Sequence, residues 1–259
     1  MFQIMASHED HHWWFVGRRA VIDAVLDRAD LPPNAAVLEA GCGTGGNFYL
    51  LARRGNVAAF EPSYQAREIL SAKHGDALVV RDGELPDRLP YAPGSFDLVV
   101  ALDVLEHVGR DAEALSALVS LARPGGTVLV TVPAHPILWG EHDRRLNHVR
   151  RYRQSSLRRL CATTGADITY FTAFNTVLAP IAVTLRLAER VLPISFGNQE
   201  RMPPKWINWL FARLYSWEGP LVRRWSLRVG LSYAVLLRRP LGTPTSDDSS
   251  QPPVHEATS

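Results

Sequence analysis

A glycine-rich turn set between a buried strand and a helix constrains this chain more than any other feature. Residues 35–40 form a short apolar run of the kind that makes a parallel strand covered on both faces. Beyond the turn, Phe48, Leu50 and Leu51 take helical spacing. Between the two stand Gly41, Cys42, Gly43, Thr44, Gly45 and Gly46. Such a turn lets bare backbone N–H groups and the positive end of a helix approach a ligand. Glycines 41, 43 and 46 have dinucleotide-binding spacing, and Glu61 ends the next apolar run about twenty residues later. A carboxylate there can accept both hydroxyls of a ribose. The turn predicts an adenosine-containing cofactor and leaves a nicotinamide dinucleotide and S-adenosylmethionine equally open.

The remaining periodicity alternates strands with helices. Strands are expected at 35–40, 57–61, 77–81, 96–102 and 127–132, with helices at 18–29, 45–54, 63–73 and 111–122. Ser63 follows Pro62 as a natural N-cap. A further helix runs from 155 to about 165, a sixth strand from 167 to 174 and a last strand from 230 to 238. Alternation of this kind implies an α/β fold, a doubly wound, Rossmann-like parallel sheet. The expected organisation is an N-terminal aromatic segment and first helix (1–30), a cofactor-binding core (31–174), a helical insertion (175–229), a final strand (230–240) and a disordered tail (241–259).

Several motifs stand in register after the turn: Gly83-Glu84-Leu85, Leu89-Pro90-Tyr91, Gly94-Ser95-Phe96-Asp97, Asp103-Val104-Leu105-Glu106-His107 and Pro124-Gly125-Gly126. In this order residues 35–132 resemble the class I S-adenosylmethionine-dependent methyltransferases, in the type 11/12-like branch whose fourth strand ends in Asp-Val-Leu-Glu-His. The resemblance implies a seven-stranded sheet with an antiparallel last strand, and S-adenosylmethionine as cofactor. It places Gly41, Cys42, Gly43 and Gly45 at the cofactor and Glu39 near the methionine amino group. Glu61, followed by Pro62, meets the ribose, Glu84 and Leu85 the adenine, and Asp103 the methionine half or the substrate. Glu106-His107 belongs to the same motif; His107 there is as readily a structural histidine as a substrate contact.

Methyl transfer needs alignment and, for a hydroxyl acceptor, a base. The segment 133–152 concentrates His135, His142, Asp143, His148, Arg150 and Tyr152, and it resembles a bacterial branch with a D-x-x-L-x-H-x-R-x-Y pattern. His148 is the first choice of base, His142 the second and His135 the third, with Asp143 beside them. Arg150, Tyr152, His107 and His135 are expected to face the acceptor. A metal held by Glu141, His142 and Asp143 is disfavoured, because adjacent residues chelate poorly, so no metal ligand is assigned. The N-terminal run His11-His12-Trp13-Trp14-Phe15 before Arg18-Arg19 fits an aromatic lid, with His12, Trp13 and Arg18 at the substrate, or equally a hydrophobic staple for the first helix.

The chain has 259 residues and a formal net charge of +2, so bulk electrostatics predict no nucleic-acid partner. Two cysteines and a polar start point to a reducing, cytoplasmic setting. The insertion holds Trp206, Trp209, Trp217 and Trp225 with interspersed arginines, a composition that suits peripheral contact with the inner membrane face or a core-covering helix. The resulting expectation is O-methylation of a small or amphiphilic acceptor such as a saccharide or lipid-linked glycan. N-methylation of a small molecule, a nicotinamide oxidoreductase and a non-catalytic cofactor-binding partner of a membrane enzyme are the alternatives.

Overall fold

The computed structural model describes residues 2–181, 183–184 and 202–241. Seven strands make one sheet: β1 (Ala35–Ala40), β2 (Gly55–Phe60), β3 (Val79–Arg81), β4 (Phe96–Leu102), β5 (Ala122–Pro133), β6 (Asp167–Phe174) and β7 (Ser232–Arg238). Their order is β3-β2-β1-β4-β5-β7-β6. The first five are parallel, and β7 runs antiparallel between β5 and β6. The expected α/β sheet with an antiparallel last strand is therefore present.

Strand side chains alternate between the two faces, and each face has its own core. Leu38, Val99, Ala101, Val128 and Val130 pack on one side with Leu115 and Leu118 of the helix Asp111–Leu121. Val37, Leu98, Val100 and Leu129 pack on the other with Val21, Ile22, Val25 and Leu26. This double covering explains why the central strands read as unbroken apolar runs.

Two helices open the chain, α1 (Phe2–His8) and α2 (Trp13–Leu26). The structure starts α2 five residues before the expected Arg18. The His12 side chain accepts from the Trp14 N–H and caps the helix there, so the aromatic run becomes its first turn. Strand β5 also begins earlier than expected, at Ala122 rather than 127. Within the insertion, two helices are described, Lys205–Ser216 and Glu218–Arg224. The apolar run 177–192 is described through 181 and at 183–184; its remainder and the tail beyond 241 lie outside the described residues.

Candidate active site

The crevice lies beyond the carboxyl ends of β1, β2, β3 and β4, where open α/β sheets bind ligands. The first residues after these strands are Gly41, Glu61, Asp82 and Asp103. Gly41, Gly43 and Gly45 all have positive φ (68°, 54° and 83°), the backbone that glycine adopts without steric cost. A side chain at 41 would meet Val104 at 2.9 Å, so the turn folds closely under the end of β4. Cys42 is buried in the turn, and burial pushes its thiol well above its ordinary pKa.

Glu61 is buried, and its carboxylate accepts from the N–H of Gly43 and of Ser63, each at 3.0 Å. Burial raises its pKa against those two bonds. Glu39 is fully buried; one oxygen accepts from Asn47 Nδ2 at 2.8 Å and Oε2 has no partner among the described residues. Burial raises its pKa to about 7. A buried acceptor with no donor beside a glycine turn fits the ammonium end of S-adenosylmethionine. Pro62 is exposed, with its carbonyl accepting from Arg67. Leu85 is buried against the sheet, while Glu84 is exposed and pairs with Arg88. Asp82, at the end of β3, escaped the sequence reading and lies between Arg67 and Arg88.

Asp103 has φ of 57° and is anchored at both ends: its N–H donates to Thr131, and Thr131 Oγ1 donates back to Oδ1 at 2.9 Å. Arg18, buried on α2, closes on Asp103 Oδ2 at 2.7 Å. That ion pair sets Arg18 beside the end of β4. Trp13 packs edge-on against Phe211, and its backbone N–H donates to Asn208 Oδ1 of the insertion. His12, the α2 cap, is held below its ordinary pKa by burial. Glu9, which opens the N-terminal run but has no role assigned from sequence, is buried against the glycine turn. It accepts from Thr44 Oγ1 at 2.6 Å and from Lys73 at 2.8 Å, so the segment after α1 covers that side of the turn.

The second half of the site is assembled across 41 residues of sequence. After Asp103 the chain makes a single 3-10 turn, Leu105–His107. The Val149 N–H donates to the Glu106 carbonyl at 2.7 Å, which fastens the segment 147–149 beside that turn. His148 thereby stacks edge-on to His107 with ring centres 4.9 Å apart. His148 Nδ1 lies 3.0 Å from Asp143 Oδ1, and Arg151 Nε donates to the same oxygen at 2.7 Å. Burial opposes ionisation of Asp143, but bonds from His148 and Arg151 outweigh it and hold its carboxyl well below the usual range. Burial and the neighbouring His148 lower the His107 pKa.

The other candidates sit outside this pair. His142 is on the short helix Glu141–Arg145. His135, at φ 59°, lies near Tyr233. Arg150 binds Asp111 and the Gly109 carbonyl. Tyr152 is buried, its hydroxyl 3.0 Å from Asp111 Oδ2.

A sheet of this order with a glycine turn after β1, a buried carboxylate after β2 and an acid after β4 has the arrangement of a class I S-adenosylmethionine-dependent methyltransferase. The chain belongs to the family described as a methyltransferase domain, whose sequence model matches residues 13–170. A Mycolicibacterium smegmatis protein described as a probable S-adenosylmethionine-dependent methyltransferase is 28% identical over 172 residues, 61% of each chain. The ubiquinone biosynthesis O-methyltransferase of Xanthomonas campestris is 32% identical, over 42% of this chain and 47% of its own. The dimethylglycine N-methyltransferase of Parasynechococcus marenigrum is 32% identical, over 43% and 42%. The chain thus spans less than two thirds of each of these relatives.

Among solved structures, a chain from the complex of the Haloferax volcanii Trm112 methyltransferase activator with a methyltransferase superposes at TM-score 0.59. It is 17% identical, covering 92% of this chain and 96% of that one. The Haemonchus contortus phosphoethanolamine N-methyltransferase 2, solved with S-adenosyl-L-methionine, gives 0.55 at 16% identity, covering 85% and 52%. At these identities the likeness speaks for the fold.

Proposed function

We propose that the chain methylates a hydroxyl oxygen of a small or amphiphilic acceptor, with saccharides and lipid-linked glycans as the first candidates. The observation that carries this reading is the Asp143–His148 pair: a carboxylate on Nδ1 fixes the ring and leaves Nε2 for a proton. Bound S-adenosylmethionine supplies a methyl group already activated on a sulfonium. The glycine turn and Glu39 would hold its amino-acid end, and Glu61 would meet the ribose. Asp103 is locked by Arg18 and Thr131 just beyond β4. The acceptor O–H bond breaks with its proton passing to His148 Nε2; the O–CH3 bond forms as the S–CH3 bond breaks, leaving S-adenosylhomocysteine.

An amphiphilic acceptor is favoured by the surface of the insertion. Trp206, Trp209, Trp217 and Trp225 are each more than half exposed, beside the exposed Arg213, Arg223, Arg224 and Arg228. Amphipathic rings with cations suit a lipid–water interface. No described helix is long and apolar enough to cross a membrane, so such contact would be peripheral.

Calorimetric titration with S-adenosylhomocysteine, with NAD as the control, tests the cofactor half; a screen of glycan and lipid acceptors with a labelled methyl donor tests the other. His148→Gln is expected to keep cofactor affinity and to lower turnover by about 10²–10⁴-fold, the range for a lost base. Equal loss of affinity and turnover would make His148 structural.

A further inference from the structure

The turn after β4 buries a carboxyl group that nothing in the fold accounts for. Glu106 is wholly inaccessible to solvent, and neither carboxylate oxygen has a hydrogen-bond partner among the described residues. Buried polar groups are almost always paired, because an unpaired one keeps its full desolvation cost. Burial and the nearby Asp103 push its pKa well above the ordinary value. Its own backbone N–H and the fields of Arg18 and Arg151 offset this only in part.

What stands next to Glu106 is a pair of imidazoles. Glu106, His107 and His148 each offer one ligand atom, and the three atoms lie within 4.8 Å of one another. Both rings already have an acceptor at Nδ1: Asn147 O at 3.3 Å for His107, and Asp143 Oδ1 at 3.0 Å for His148. With Nδ1 protonated in each, both Nε2 atoms carry a lone pair. Histidines that ligate a metal are oriented in this way, by a carbonyl or carboxylate on the far nitrogen. The Glu106 side chain is buried, His148 is half-buried and His107 is exposed, so the group lies at the protein surface with its carboxylate on the inner side.

We propose that Glu106, His107 and His148 bind one divalent transition-metal cation of the Zn²⁺ or Co²⁺ class. Two nitrogens and one carboxylate suit such ions better than Mg²⁺, which demands oxygen ligands. Three protein ligands leave a fourth position for water or substrate, as in catalytic metal sites. The group is not the adjacent set Glu141, His142 and Asp143: it joins the turn at 106–107 to His148, and Asp143 supports His148 at Nδ1.

The proposal deepens the hydroxyl-acceptor reading and rests on it for its consequence. His148 Nε2 holds either a proton or the cation. In the loaded protein the acceptor oxygen takes the open position, the cation makes its O–H acidic, and the proton leaves to solvent. The methyl transfer then balances as before, with S-adenosylhomocysteine as the other product.

The test is calorimetry of the untagged full chain with ZnCl₂ and CoCl₂, and MgCl₂ for comparison, together with the visible spectrum of the Co²⁺ form. The expected result is one Zn²⁺ or Co²⁺ per chain and little affinity for Mg²⁺. Glu106→Gln and His107→Gln should each weaken binding by about 100-fold or more, above the roughly 10–100-fold cost of losing an outer partner. His11→Gln, on an exposed residue outside the group, should bind as wild type does. Each variant is compared in S-adenosylhomocysteine affinity and thermal unfolding, so a misfolded chain is recognised. Equal metal affinity in wild type and Glu106→Gln, or no binding at about millimolar metal, overturns the site. If S-adenosylhomocysteine still binds in that event, the methyltransferase reading stands; if it does not, that reading fails separately. Turnover that survives Glu106→Gln and a chelator but not His148→Gln returns His148 to the role of base.

Discussion

Single residues at the glycine turn carry two separable expectations. Glu39 is a carboxyl whose pKa is raised in the fold from the ordinary 4.5 to about 7 by burial, against Asn47 and the field of Arg18 and with those of Glu9 and Glu61. Below about pH 4.5 it is protonated folded or unfolded. Between that value and about 7 the folded chain alone keeps the proton, so stability falls as pH rises through this window. The loss amounts to at most about 3 kcal/mol. Glu61 and Glu106, also raised by burial, act in the same direction. The readout is therefore the difference: urea unfolding of the cofactor-free protein from pH 5 to 8 should be flatter for Glu39→Gln than for wild type. Parallel curves would mean that Glu39 titrates normally. Glu61→Ala removes an acceptor from the ribose side and should weaken S-adenosylhomocysteine by about 1–3 kcal/mol in calorimetry. Unchanged affinity would take Glu61 out of the site.

At the scale of elements, the N-terminal helices show why an aromatic run is hard to interpret by itself. The sequence pattern His-Trp-Trp-Phe is compatible with a lid and with a staple. In the structure Trp13 packs on Phe211 and Tyr215 of the helix Lys205–Ser216, and Gly17 one turn later faces the same Tyr215. A Cβ at Gly17 would stand 2.4 Å from the Tyr215 ring. Gly17→Ala should therefore push the insertion helix away and cost about 1–3 kcal/mol in urea unfolding, the usual range for overpacking. Full stability in that variant would show that the helix is loosely docked. The same contact joins the insertion to Arg18 and so to Asp103, which ties the surface of the insertion to the crevice.

For the whole molecule, the exposed tryptophans set the clearest question. Co-sedimentation with anionic lipid vesicles should recover the full chain, and Trp209→Ser with Trp217→Ser should abolish recovery while cofactor affinity stays the same. Wild-type protein that stays in the supernatant at low salt would remove the membrane-facing reading and leave a free small acceptor. The order of the strand–helix units, the glycine turn and the acid after β2 were legible beforehand, because they rest on local periodicity and on backbone conformations that few residues allow. Strands β1, β4 and β6 have their expected limits for the same reason. The pairing of His107 with His148, the orphaned carboxyl of Glu106, Glu9 on Thr44 and Arg18 on Asp103 were decided by the tertiary structure alone. Each joins residues far apart in the chain through strand order and burial, and burial of a polar group depends on what covers it. Neither leaves a period or a spacing in the sequence.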